Sequence, residues 1–196
     1  MSRILLHVGA PKCGSSALQT ALSQAGRLVT PQGEKLVYTA ARPLLGRRWL
    51  PLTGARLRVT AARLPHGYAA WPGAQDTGDM AASFAALDRV RNTGAAGLLP
   101  VVSQEGWIDQ SAQFAAALPH WFEPGAEVIV HANARPPLEW INAAWWQWGV
   151  WGRLPFDRWL DRGLAQGGLS YRLGSALQDW AALPGVRLDL DLGGDA

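Results

Sequence analysis

Three short stretches of this chain carry residues whose types and spacing could do chemistry. In the first, Gly9 and Gly14 bracket Ala10-Pro11-Lys12-Cys13, and Ser15-Ser16 follow directly. Ile4 to Val8 before it is an apolar run of the kind that fills a central parallel strand. Ala17-Leu18-Gln19-Thr20-Ala21-Leu22 after it favours a helix. The first turn of such a helix has unpaired N–H groups and a partial positive charge, so a strand, a glycine-bounded loop and a helix start together make an anion cradle. The second stretch is Ser103-Gln104-Glu105, a carboxylate just beyond an apolar run. The third is Arg135, beyond the apolar run Glu127 to His131 and ahead of Pro136-Pro137. Together they offer a cradle for one anionic group, a cation for a second, and a base.

The loop departs from the nucleotide pattern G-x-x-x-x-G-K-[ST] at one place. Ser15 stands where the Lys that reaches the β/γ-phosphates belongs, and the cation, Lys12, is inside the loop. That favours a shorter anionic group over a triphosphate. Pro11-Lys12-Cys13-Gly14-Ser15-Ser16 after an apolar strand resembles the loop by which sulfotransferases bind the 5′-phosphosulfate of 3′-phosphoadenylyl sulfate (PAPS), roughly P-K-x-G-[ST]-[ST]. Leu6-His7-Val8-Gly9 and Ala17-Leu18-Gln19 are similar to bacterial members. Arg135 and Pro137 resemble the family's segment for the 3′-phosphate, although Ala143 occupies the place of a family serine eight residues after the Arg; Asn142 is a neighbouring substitute.

The resemblance implies an α/β, three-layer P-loop-like fold and transfer of a sulfuryl group from PAPS to a hydroxyl or amine of a carbohydrate or small metabolite. It implies that Lys12, Cys13, Gly14, Ser15, Ser16 and Arg135 contact PAPS. Lys12 suits the charge that develops on the leaving phosphate. Glu105 is the best-placed general base, with Glu34, His66 and His131 as rivals; His131, ending an apolar strand, is expected to be a packed core histidine. The family continues with further helix and a glycine-rich basic loop, so this chain, ending Gly193-Gly194-Asp195-Ala196, is expected to have a short C-terminal part. Two alternatives stay open: a variant P-loop kinase or NTPase, and a non-catalytic nucleotide-binding relative. No His, Cys, Asp or Glu set has metal-ligand spacing, and no metal is expected.

The elements that must hold these residues follow from the patterning. The 196 residues, 48% hydrophobic and 17% charged, suit one domain with a sizeable core. A net charge of +3 does not imply a nucleic-acid partner. All the basic residues except Lys12 and Lys35 are Arg. The single cysteine, Cys13, is expected to be a small loop residue, and it rules out an internal disulfide. The sequence has neither a leader pattern nor an apolar run of ~20 residues, which gives a cytoplasmic protein without a membrane partner as the expectation.

Helices are expected at Ser15 to Gln24, Met80 to Arg91, Ile108 to Leu118, Leu138 to Trp148, Phe156 to Leu164 and Leu173 to Leu183. Strands are expected at Ile4 to Val8, Gly97 to Val102, Glu127 to His131 and Val186 to Leu190. Short apolar pieces, Leu28-Val29 and Leu36-Val37-Tyr38, flank a turn at Gln32-Gly33. This alternation predicts a mostly parallel central sheet flanked by helices, with ligands beyond the carboxyl ends of its strands. Residues 40–79 show no clean period and are read as an insert or lid. Most of the eleven Trp are expected in the core, with one or two near the cleft.

Overall fold

The computed structural model describes residues 3–46, 48–74, 76–92, 98–166 and 172–193. Strand β1 (Arg3–Gly9) lies at the centre of the sheet. It is flanked in parallel by β5 (Leu98–Ser103) and β6 (Glu127–Asn133), and outside these by β3 (Lys35–Leu44) and β7 (Val186–Asp191). Two antiparallel strands, β2 (Leu28–Val29) and β4 (Arg48–Leu52), pair with β3. The fold is therefore α/β with a mixed, mostly parallel central sheet flanked by helices.

Both faces of β1 are covered, which is why its sequence is a run and not an alternation. Ile4, Leu6 and Val8 are fully buried against one cluster with Val102, Val128, Val130 and Phe114. That layer contains α3 (Thr77–Asn92), α4 (Ser111–Ala117) and α7 (Leu173–Ala181). Leu5 packs on the other side with Val101, Leu57 and Ala61, under α1 (Ser15–Gln24) and α2 (Gly54–Ala62). Phe114 is the hub of the first layer. Phe84, Trp107 and Trp180 meet it edge-on at ring-centre distances of 4.8, 5.2 and 5.1 Å. Two of the buried indoles find partners: Trp71 Nε1 donates to Ser83 Oγ, and Trp180 Nε1 to the Ile108 carbonyl; Trp49 Nε1 is buried with no partner among the described residues.

Several elements differ from their sequence expectations. Pro100 sits inside β5, a central strand. The ladder to β1 begins only at Val101, one residue past the missing N–H. Gly97, read as the start of this strand, lies outside the described residues, as do Gly194, Asp195 and Ala196. The helix expected from Ile108 to Leu118 is two pieces, a 3₁₀ segment Glu105–Asp109 and α4. The helix expected from Leu138 to Trp148 is α5 (Pro137–Ala144) followed by a π-helical turn, Trp145–Gly149. Within 40–79 lie the end of β3, all of β4 and α2, and the start of α3. Phe156–Gln166 forms α6, with no buried residue. Among the described residues no helix is long and apolar enough to cross a membrane.

Candidate functional site

The carboxyl ends of β1, β5 and β6 open into a cleft of about 610 Å³. Lys12, Gly14, Ser15, Ser16, Glu105 and Arg135 line it, together with His66, Tyr68, Ala143 and Gln147. Each expected group arrives on a different connection: the β1–α1 loop, the 3₁₀ segment after β5, and the β6–α5 loop. Gly9 brings the first two together. Its φ is +113°, and a Cβ there would run into the carbonyl of Glu105. Only glycine allows this crossing.

The loop itself is tightly folded. Lys12 has φ 66° and Gly14 has φ 95°, both in the left-handed region. The amide of Cys13 donates to the Ala10 carbonyl at 3.3 Å, and Ser15 Oγ donates to the same oxygen at 3.3 Å. Ser15 is buried and Ser16 is exposed. Among the described residues no side chain caps α1; its first-turn amides have no intrahelical partner, and Gly14, Ser15 and Ser16 at its start line the cleft. Lys12 Nζ lies 5.6 Å from the centre of the Trp148 ring, a cation–π contact that holds the cation at the cleft wall. Trp148 is one of the exposed tryptophans, with Trp146 and Trp151. The π turn presents it and Gln147; Gly149 closes that turn where any Cβ would strike the Trp145 ring.

Cys13 turns away from the cleft. It packs with Ala10, Trp140 and Ala144 and faces a separate, mostly apolar pocket between α5, α6 and α7. Burial, only partly offset by Arg135, pushes its thiol up, so it is not a ready thiolate. Trp140 Nε1 donates to the Pro11 carbonyl at 3.0 Å and ties α5 to the loop.

Of the rival bases, His66 lines the cleft beside Tyr68, with ring centres 5.9 Å apart. Glu34 pairs with Arg3, at the opposite end of β1, and is not part of the site. His131 is not a packed core histidine. It is half-buried within β6, and its Nδ1 pairs with Asp189 Oδ2 on the neighbouring strand at 2.8 Å. Ala143 does face the cleft where a hydroxyl was looked for. Asn142 is not among the lining residues, whereas Gln147, one turn beyond Ala143, is. Among the described residues no group of three His, Cys, Asp or Glu could hold a metal ion.

The sequence reading passed over the layer beneath the cleft. Helix α1 buries a polar stripe, Ser15, Gln19 and Ser23. Gln19 Nε2 donates to Ser103 Oγ at 2.9 Å, and Ser23 Oγ bonds the Ala69 carbonyl. Ser103 Oγ also lies 2.7 Å from Nδ1 of His7, which is fully buried in β1. Burial first, then the charge of His131, lowers the His7 pKa from 6.5 to about 4; the bond to Asn133 acts the other way. Between these values the unfolded chain binds a proton that the folded chain refuses. The stability associated with the neutral ring is therefore complete above about pH 6.5 and is lost as pH falls towards 4. Thermal melts across this window are expected to show that decline, and His7→Gln is expected to flatten it. An equally steep decline in the variant would assign it to other groups.

Comparison with known proteins is sparse. No family model matches the sequence, and no curated protein matches it. Among solved structures the chain is similar to a sulfotransferase from Alicyclobacillus acidocaldarius, with a TM-score of 0.45 and 15% identity over 95% of this chain and 72% of that one.

Proposed function

We propose that the protein is a transferase of the sulfotransferase type, using PAPS and a hydroxyl or amine acceptor of small-molecule or carbohydrate character. The observation that carries this reading is one cleft in which two cations from different strand ends, Lys12 and Arg135, flank an uncapped helix start bearing Ser15 and Ser16. A 5′-phosphosulfate fits the first-turn amides and Lys12, and a 3′-phosphate fits Arg135. The cleft's polar wall suits such a charged molecule, and Ser15 standing where a triphosphate-binding Lys belongs favours it over ATP. Ala143 leaves the 3′-phosphate without the serine of the resemblance, and Gln147 is the nearest polar substitute on that helix face.

In the transfer the acceptor oxygen forms a new S–O bond as the S–O bond to the 5′-phosphate breaks. The electron pair stays on the leaving phosphate, where Lys12 meets the developing charge. The acceptor proton passes to Glu105 or His66, both on the cleft wall.

The test is a thermal-shift comparison. Adenosine 3′,5′-bisphosphate without Mg²⁺ is expected to stabilise the fold, by about 2.7 kcal/mol at a hundredfold excess over its Kd. Stabilisation by ATP with Mg²⁺ alone would sink the reading in favour of a kinase or NTPase. Binding of the bisphosphate without turnover over a broad acceptor panel would identify a non-catalytic relative, an outcome that Ala143 favours.

A further inference from the structure

Beneath the cleft a single hydrogen-bonded chain crosses the sheet. Asn133 Nδ2 donates to Asp191 Oδ2 at 3.0 Å, a carboxylate that can only accept. Asn133 therefore turns its Oδ1 to His7, 3.0 Å from Nε2, and His7 Nε2 must carry the proton. In the neutral ring Nδ1 is then the acceptor, so Ser103 Oγ donates to it across 2.7 Å. Ser103 has spent its only proton and must accept from Gln19 Nε2 at 2.9 Å. These four bonds then run in one direction: Gln19, Ser103, His7, Asn133, Asp191.

The places of these residues matter as much as their bonds. His7, Ser103 and Asn133 stand two positions ahead of Gly9, Glu105 and Arg135 on three neighbouring strands, and Gln19 lies on the helix that opens the cradle. The main chain repeats the tie. The Ala10 amide donates to the Asn133 carbonyl at 3.0 Å, and the Gln104 amide donates to the His7 carbonyl at 3.0 Å.

We infer that His7, as the neutral Nε2–H tautomer, is a positioning residue that sets the spacing between the anion loop and Arg135. This rests on the two-phosphate reading of the cleft. His7 touches no ligand. It fixes the distance at which two anionic groups of one molecule are held, and so acts on a ligand that engages both ends and hardly at all on one that engages a single end.

The experiment measures affinities of the whole chain for adenosine 3′,5′-bisphosphate, adenosine 5′-monophosphate and adenosine 3′-monophosphate, in wild type, Ser103→Ala and Ser103→Thr. Ser103→Ala is expected to weaken the bisphosphate by about tenfold and each monophosphate by less than about threefold, and Ser103→Thr, which restores the hydroxyl, to recover the difference. Equal weakening of all three ligands would overturn the positioning role while leaving the two-phosphate reading in place. Failure of wild type to bind any of them would remove that reading and the spacing role with it. A measurement on unmodified protein guards against a misfolded variant. The ¹⁵N shifts of the His7 ring at neutral pH are expected to show Nε2–H; an Nδ1–H or doubly protonated ring would overturn the inference.

Discussion

Gly9→Ala is expected to be the most damaging single substitution at this site, lowering stability by ~3 kcal/mol or more and abolishing ligand binding. Two independent penalties combine. The alanine would have to adopt φ near +113°, a conformation that L side chains rarely take, and its Cβ would meet the carbonyl of Glu105. The neighbour in the way is backbone, so no rotamer change relieves the contact. Either β1 retreats from the 3₁₀ segment or that segment lifts, and in both cases Lys12 and Glu105 separate. Urea denaturation with ligand titration checks this: a midpoint within error of wild type, with binding retained, would show that the crossing is not tight. Gly14 is an informative contrast. A Cβ there meets nothing, so Gly14→Ala bears the backbone penalty alone and is expected to be milder.

On the proposed reading, Lys12→Ala is expected to cost at least about 10²-fold in sulfuryl transfer with little change in fold, because the cation meets charge that grows on the leaving phosphate in the transition state. The backbone supplies a control. Lys12 already holds φ 66°, so alanine inherits the strain instead of adding to it. Lys12→Gly relieves that strain, by roughly 1 kcal/mol, and is expected to give a protein at least as stable as wild type and equally inactive. Turnover and melting temperature, measured on both variants, separate the chemical role from the structural one. Unchanged turnover in either would rule out the assigned role.

Where patterning was strong, the fold could be read from the sequence. The bounds of α1 follow from the hydroxyl pair and the helix formers after it, and Ser15–Gln24 is what forms. The apolar runs became β1, β5, β6 and β7. The loop, Glu105 and Arg135 were legible as a group because strand ends of a parallel sheet lie on one side. Residues 40–79 were not, for physical reasons. Strand β4 carries Pro51 and, among the described residues, pairs with β3 alone, and α2 buries only Leu57 and Ala61, so neither shows a clean period. His7 was missed because one polar residue in an apolar run looks like packing, and its partners Ser103 and Asn133 lie 96 and 126 positions away. His131 departs from the core expectation because its partner, Asp189, lies 58 positions away on another strand.

The central place of β1 has a kinetic consequence. This apolar strand leaves the ribosome long before its neighbours in the sheet, since Ser103 and Asn133 follow His7 by 96 and 126 positions. Until β5 and β6 emerge, it has bare edges and uncovered faces on both sides. Parallel pairing over such separations is slow, because chain-closure entropy is lost before any contact rewards it. The cradle is therefore synthesised before the strands that complete it, and the nascent chain passes through a period in which an apolar strand waits for partners. Slow refolding from urea, and yields that rise with chaperone or fall with chain concentration, are the behaviour this topology dictates.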